Sequence, residues 1–212
     1  MLTINRFLFK EISTGFLVSQ DLFSNSFPCL ETKRLSLQQT TQEDVKDVFA
    51  VFCDPKVTRF HDLDTFTHLD EASRIIERRA KRFEDGKGIR WAIVYKQGNY
   101  LIGSCGFTWL KEKNAAEIGY ELKSQFWRQS IMSEAITAIL QYGFNHREIQ
   151  FVIAEIMLDN IASRGLFKKL GFQSQGILEK RGFWKGKYHA LEQFKLMKTE
   201  FIVSYFTDYD NT

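Results

Sequence analysis

A strand that passes through a short connection directly into a helix occupies residues 115–144, AAEIGYELKSQFWRQSIMSEAITAILQYGF. In its first part, Ile118, Tyr120 and Leu122 alternate with Glu117, Gly119 and Glu121, the period of a half-buried strand. In its last part, Met132, Ala135, Ile136, Ile139, Leu140 and Gly143 recur at helical spacing. Residues 123–129 connect the two. The first N–H groups of a helix entered this way have no intrahelical partner and carry partial positive charge, which makes a seat for a phosphate.

The rest of the chain is read around this unit. Residues 1–28 show no clear period and are expected to be an extension of unknown structure. A domain is expected over 29–199 and a tail over 200–212. Leu30–Leu37 reads as a first strand. Thr41, with Asp44 three residues on, opens a helix whose stripe is Val45, Val48, Phe49 and Phe52, and Asp54-Pro55 ends it. Residues 56–69 read as loop. A second helix runs from about Asp70 to Glu84 and stops at Asp85-Gly86-Lys87-Gly88.

Arg90–Tyr95 and Tyr100–Leu110 read as strands joined at Gln97-Gly98-Asn99, with Gly103 and Gly106 marking a bulge or a close backbone approach. They lead antiparallel into the Glu117 strand. Gln150–Met157 is nearly continuously apolar and reads as a strand covered on both faces. Because a helix links it to the Glu117 strand, the two should be parallel. Asp159-Asn160 caps a helix over 161–170 closed by Gly171, and a hairpin turning at Lys185-Gly186 ends the domain.

Charge and cysteine content limit the alternatives. A net charge of +3 gives little ground for nucleic-acid binding. The cluster Arg74, Arg78, Arg79, Lys81 and Arg82 reads as a solvated helix face. Cys29, Cys53 and Cys105 have neither metal-ligand nor disulfide-framework spacing, and no apolar run approaches the roughly 18 residues of a membrane span. A reduced, cytoplasmic protein without a metal is expected, as monomer or homodimer.

The order strand, two helices, three strands, helix, strand, helix, two strands resembles the Gcn5-related N-acetyltransferase (GNAT) superfamily. The closest similarity is to its ribosomal-protein N-terminal (alanine) acetyltransferase branch. The segments that carry it are TKRLSLQQTTQEDV at 32–45, AEIGYEL at 116–122, FWRQSIMSEAI at 126–136, DNIASRGLFKKLGF at 159–172 and GFWKGKYH at 182–189. The resemblance implies a mixed α/β (α+β), mostly antiparallel central sheet flanked by helices, with a parallel, splayed strand pair at an acyl-CoA site. Acetyl-CoA is the implied co-substrate. Backbone groups of Tyr120 and Leu122 would pair with its pantetheine arm. N–H groups of Arg128, Gln129, Ser130, Ile131 and Met132 would hold its pyrophosphate. Asn160 would reach the pantetheine, and Ser163 and Phe167 occupy the positions beside the departing thiolate.

The sequence departs from the family pattern at three positions. Ser130 stands where a glycine is usual, and its Cβ disfavours a positive φ, although serine is also a good N-cap. Phe167 stands where many members place a proton-donating tyrosine. Ser163, in an N-x-x-S pattern, matches the serine that similar N-terminal acetyltransferases use instead. Gly182 stands where some relatives carry a basic glutamate, leaving Glu117, with Glu121 as the alternative, as general base; His189 and His146 are weaker candidates.

The resemblance implies transfer of an acetyl group to a primary amine. An α-amine has a pKa of about 7.7–8.0 against about 10.4 for lysine, so an ill-defined base suits a protein N-terminus best. A small amine (polyamine, amino acid or antibiotic) and a catalytically weak acyl-CoA-binding regulatory module are the alternatives. The loop over 57–69 and the hairpin residues Phe183, Trp184, Tyr188 and His189 are expected to choose the acceptor.

Overall fold

The computed structural model describes residues 18–19, 26–147 and 149–201. The expected extension and tail fall largely outside them. Val18–Ser19 (β1) does pair with Leu30 and Cys29, adding an edge to the sheet.

Among the described residues, nine strands form one sheet in the order β1-β2-β3-β4-β5-β6-β7-β9-β8. They are β2 Cys29–Glu31, β3 Leu35–Gln39, β4 Gly88–Tyr95, β5 Tyr100–Leu110, β6 Ala115–Leu122, β7 Phe151–Met157, β8 Gln173–Trp184 and β9 Lys187–Met197. Every pairing is antiparallel except β6 with β7. The helices are α1 Val45–Phe52, α2 Pro55–Thr58, α3 Leu69–Glu84, α4 Ile131–His146 and α5 Ile161–Lys169.

Two apolar cores lie on opposite faces of the sheet, and β4 supplies both. Trp91 and Ile93 face a core shared with α4 and Phe167 of α5. Ala92 and Val94 face a core built with Val48, Val51 and Phe52 of α1 and Ala72, Ile75 and Ile76 of α3. Helix α4 is buried beyond the single stripe read from its sequence, since Ala138, Tyr142 and Phe144 are also covered.

Four expectations need correction. The stretch read as one strand over 30–37 is a hairpin of β2 and β3, because the Thr32 hydroxyl accepts from Leu35 N at 3.0 Å and turns the chain. The loop read over 56–69 begins with α2, capped by Asp54 Oδ1, which accepts from Lys56 N at 2.9 Å. Strand β7 is not buried on both faces: Val152, Ala154 and Ile156 are buried, whereas Ile153, Glu155 and Met157 are half-buried. The basic cluster of α3 is not wholly solvated, since Arg79 turns inward to Glu121 at 2.8 Å.

Glycines 103 and 106 mark close backbone approach. A Cβ at Gly103 would lie 2.3 Å from Glu121 O, and one at Gly106 would lie 2.1 Å from Ile89 O. Strand β5 can therefore sit tightly between β4 and β6, which fixes the position of β6.

Candidate active site

The site begins where β6 and β7 part. Their parallel pairing covers Ala115↔Phe151, Ala116↔Val152 and Glu117↔Ile153, then stops. Beyond it β6 stays bonded to β5 and β7 to β9, so a fork opens between them. Lys123 N donates to Ile102 O at 2.8 Å, so the neighbouring pair Leu122↔Gly103 is of the wide type. The N–H and C=O of Leu122, and by alternation those of Tyr120, turn away from β5, with the Leu122 C=O already accepting from the Trp127 indole. A cofactor arm lying in the fork would meet main-chain donors and acceptors, as an added strand would.

At the mouth of the fork, the loop before α4 holds an unusual backbone. Arg128 and Ser130 both take left-handed conformations, with φ of 59° and 57°. This is the region that glycine occupies without steric cost. The loop thus keeps a glycine-type path without the glycine, and its amides lead into the N-terminus of α4. Ser130 makes no side-chain cap bond to the helix, so its capping chemistry, expected from sequence, is not used.

Side chains brace this path. The Trp127 indole donates to Leu122 O at 2.9 Å, tying the loop to β6. Arg34 donates from Nη1 to Gln129 O at 2.9 Å and from Nε to Glu134 Oε2 at 2.7 Å. Thr32 Oγ1 and Arg34 N both donate to Glu134 Oε1, at 2.6 and 2.8 Å. Burial opposes ionisation of Glu134, but these bonds outweigh it and lower its pKa. The Glu134 charge is therefore countered by Arg34 within the first turn of α4. Ile131 and Met132 are buried, leaving their backbone as the part that could serve a ligand.

Beyond the fork, Asn160 caps α5, its Oδ1 accepting from Ser163 N at 3.2 Å. The Ser163 hydroxyl lies 2.7 Å from the Tyr120 hydroxyl of β6. Phe167, one turn further along α5, is fully buried against Phe172 and Phe194, and its ring centre lies 6.0 Å from that of Tyr120. The structure therefore brings Tyr120, Asn160, Ser163 and Phe167 together on one side of the fork.

The opposite face of β6 carries Glu117, Gly119 and Glu121. Glu121 is 3% exposed and is held by Arg79, Arg90 and Ser104. Burial works against its ionisation, but Arg90 and Arg79 overcome it and bring its pKa down to about 2. A carboxylate so tightly held is a poor proton acceptor, so Glu121 does not fit the role of alternative base. Glu117 differs. Burial and, next, the Glu155 carboxylate raise its pKa, against the smaller pull of Arg181 and Arg82. That is the shift a general base near neutral pH requires.

Glu155 was missed by the sequence reading. It projects from β7 and accepts from Arg181 Nε at 2.7 Å and from Gln193 Nε2 at 3.1 Å. The signal was a lone charge inside an otherwise apolar strand, with its partner arginine on the hairpin. His189 stacks on Trp184 at 4.1 Å with its Nε2 3.2 Å from Trp184 O, so it is engaged in the hairpin. His146 lies at the far end of α4, against Tyr142. The hairpin tip reaches α2, where Lys185 Nζ donates to Thr58 O at 2.7 Å. The segments expected to choose the acceptor thus meet each other.

Among the described residues, no group of three or more His, Cys, Asp or Glu is placed to hold a metal ion. No helix there is long and apolar enough to cross a membrane.

The acetyltransferase (GNAT) domain profile matches residues 34–173. The uncharacterized N-acetyltransferase YoaA of Bacillus subtilis (strain 168) is 35% identical over 173 residues, covering 81% of this chain and 98% of that protein. Two solved structures share the fold at lower identity. The microcin C7 self-immunity acetyltransferase MccE, in complex with acetyl-CoA and AMP, gives a TM-score of 0.72 at 18% identity over 78% of this chain and 93% of its own. The ribosomal L7/L12 alpha-N-protein acetyltransferase RimL gives 0.71 at 20% identity over 78% of this chain and 91% of its own. By the profile match across residues 34–173 and by the near full-length relative, the chain belongs to the GNAT family of acetyltransferases.

Proposed function

We propose that the protein moves an acetyl group from acetyl-CoA to the α-amine of a protein N-terminus. The observation that carries this reading is the fork. One of its faces presents the Tyr120–Ser163 hydroxyl pair, and the other presents a carboxylate of raised pKa, Glu117. The main-chain groups of Tyr120 and Leu122 would hold the pantetheine arm. The loop over 128–132 and the N-terminus of α4 would hold the pyrophosphate, and Asn160 would reach the arm from α5.

Acetyl-CoA supplies an activated thioester whose carbonyl oxygen a backbone N–H near Leu122 polarises. The amine nitrogen bonds to the carbonyl carbon and the carbon–sulfur bond breaks. Glu117 takes the proton leaving nitrogen, directly or through water. The sulfur takes the Ser163 hydroxyl proton, which water restores. The products are the acetylated amine and CoA.

One feature favours a peptide acceptor. An α-amine is largely accessible in its neutral form near pH 7–8, so a carboxylate base suffices where a lysine acceptor would demand more. The relative RimL, an alpha-N-protein acetyltransferase, is consistent with this choice. Free thiols at Cys29, Cys53 and Cys105 support a reducing, cytoplasmic setting.

The test is thiol release from acetyl-CoA with a panel of amines, with products identified by mass. Acetylation of peptide N-termini in preference to free lysine, polyamines and aminoglycosides is expected. Turnover on small amines alone would move the acceptor class. Tight CoA binding with no turnover on any amine would make the protein a binding module.

A further inference from the structure

The family's usual phenol is missing at Phe167, yet a phenol is present in the fork. It comes from β6, as Tyr120, and its hydroxyl lies 2.7 Å from Ser163 Oγ. We infer that Tyr120 is a positioning residue for the proton-donating serine: its O–H donates to Ser163 Oγ and so directs the Ser163 proton into the fork, toward the sulfur of the leaving CoA. This inference rests on the acyl-CoA reading of the site.

Three points support this arrangement. A serine hydroxyl has one proton and two lone pairs, so accepting from one partner frees its own proton for another. Burial, only partly offset by the Ser163 bond, pushes the Tyr120 hydroxyl up to about 12, so the phenol keeps its proton throughout the working range. The serine is also fixed from below, because its backbone N–H is held by Asn160 Oδ1 at 3.2 Å. Without the phenol, Ser163 could turn its proton away from the fork. Phe167 contributes only packing: it is buried, and its ring sits against Tyr120, Phe172 and Phe194. The proton account of the reaction is unchanged, since Tyr120 gives up no proton.

The decisive measurement is the acidity of the CoA thiol in the protein–CoA complex, read by thiolate absorbance across pH. A Ser163 O–H aimed at sulfur stabilises the thiolate and lowers that pKa below the free thiol's. Tyr120→Phe keeps the ring and its packing. It is expected to raise the bound thiol's pKa by about one unit, a tenfold change, with CoA affinity altered less than twofold. Ser163→Ala should give the same rise, and the double variant no more than either alone. With acetyl-CoA and a peptide, Tyr120→Phe should lower kcat about tenfold and leave KM for acetyl-CoA near its parent value.

A bound thiol whose pKa is the same in the parent and in Tyr120→Phe overturns the inference, as do additive effects in the double variant. Failure of the parent to bind CoA would remove the acyl-CoA reading and this inference together. Binding and turnover with an unmoved thiol pKa would remove this inference alone.

Discussion

Arg34 sits with Nε 2.7 Å from Glu134 Oε2 while its Nη1 reaches the carbonyl of Gln129 at 2.9 Å. One guanidinium thereby joins the β2–β3 turn, the first turn of α4 and the loop that leads from β6 into α4. Arg34→Ala should weaken CoA binding three- to tenfold and cost about 1 kcal/mol of stability, the modest value suited to a partly exposed pair. Arg34→Lys should rescue little, because one ammonium lacks the fork that spans both acceptors. Calorimetric titration with CoA and thermal melts of the three proteins check this; equal affinities would refute it.

Ser130 holds φ of 57° without being glycine. A left-handed residue costs roughly 1–2 kcal/mol, and glycine adds back about 0.5–1 kcal/mol of unfolded-chain freedom. Ser130→Gly is therefore expected to stabilise the protein by up to about 1 kcal/mol, a rise in Tm of about 2–4 °C. It should also tighten CoA binding by removing a Cβ from the loop proposed to hold the pyrophosphate. A lower Tm would show that the serine side chain contributes more than its backbone strain removes.

Glu117→Gln should lower kcat about a hundredfold with little change in KM for acetyl-CoA. In the parent, activity should fall as pH drops through the raised Glu117 pKa, and the variant should lose that limb. Stability runs the other way. A carboxyl whose folded pKa is raised binds its proton more tightly when folded, so its ionisation destabilises the fold as pH rises through that value. The variant should thus be at least as stable as the parent at pH 7. A pH–rate profile unchanged by the substitution would exclude Glu117 as the base.

Glu121 obeys the opposite sign. Its pKa falls from the usual 4.5 to about 2 on folding, so its stabilising effect is complete above pH 4.5 and is lost as pH drops toward 2. Urea midpoints should fall through this window, and Glu121→Gln should flatten that fall. At pH 7, Glu121→Ala should cost about 3–5 kcal/mol, because Arg79 and Arg90 would keep their charges without a counterion. Midpoints of parent and variant that fall in parallel below pH 4.5 would show that other carboxylates dominate acid unfolding.

Cys105 is buried and its thiol is pushed up to about 12, mainly by burial. Ellman's reagent at pH 8 should leave it unmodified in the native protein and label it on addition of denaturant, as mass mapping would show. Prompt labelling of Cys105 in the folded state would mean that β5 opens far more readily than its packing indicates.

Much of the fold was legible because its elements obey local rules. The alternation in 115–122, the helical spacing after Ile131 and the Gly171 stop each carried their own period or cap. The hairpin at Thr32 was not legible, since a turn held by a side chain to Leu35 and Glu134 has no glycine or proline to announce it. In the site, residue types pointed to Glu117 and Ser163, but their environments depend on strangers in sequence. Glu121 and Glu117 look alike on the strand. Arg79 and Arg90, 42 and 31 residues away, hold one as a fixed charge, while burial and Glu155 raise the pKa of the other. No local pattern records that difference.

The short pairing of β6 with β7 has a further consequence. On β6, Tyr120 meets Ser163 on one face and Glu117 and Glu121 lie on the other because they differ by an odd number of positions. Inserting one residue between Glu117 and Tyr120 would send the phenol toward Arg79 and Arg90 and the Glu121 carboxylate toward Ser163. Both half-sites would be dismantled at once, with every side chain still present. Parity along eight residues, more than the identity of any one of them, keeps the Tyr120 hydroxyl and the Glu117 carboxylate on opposite faces of the sheet.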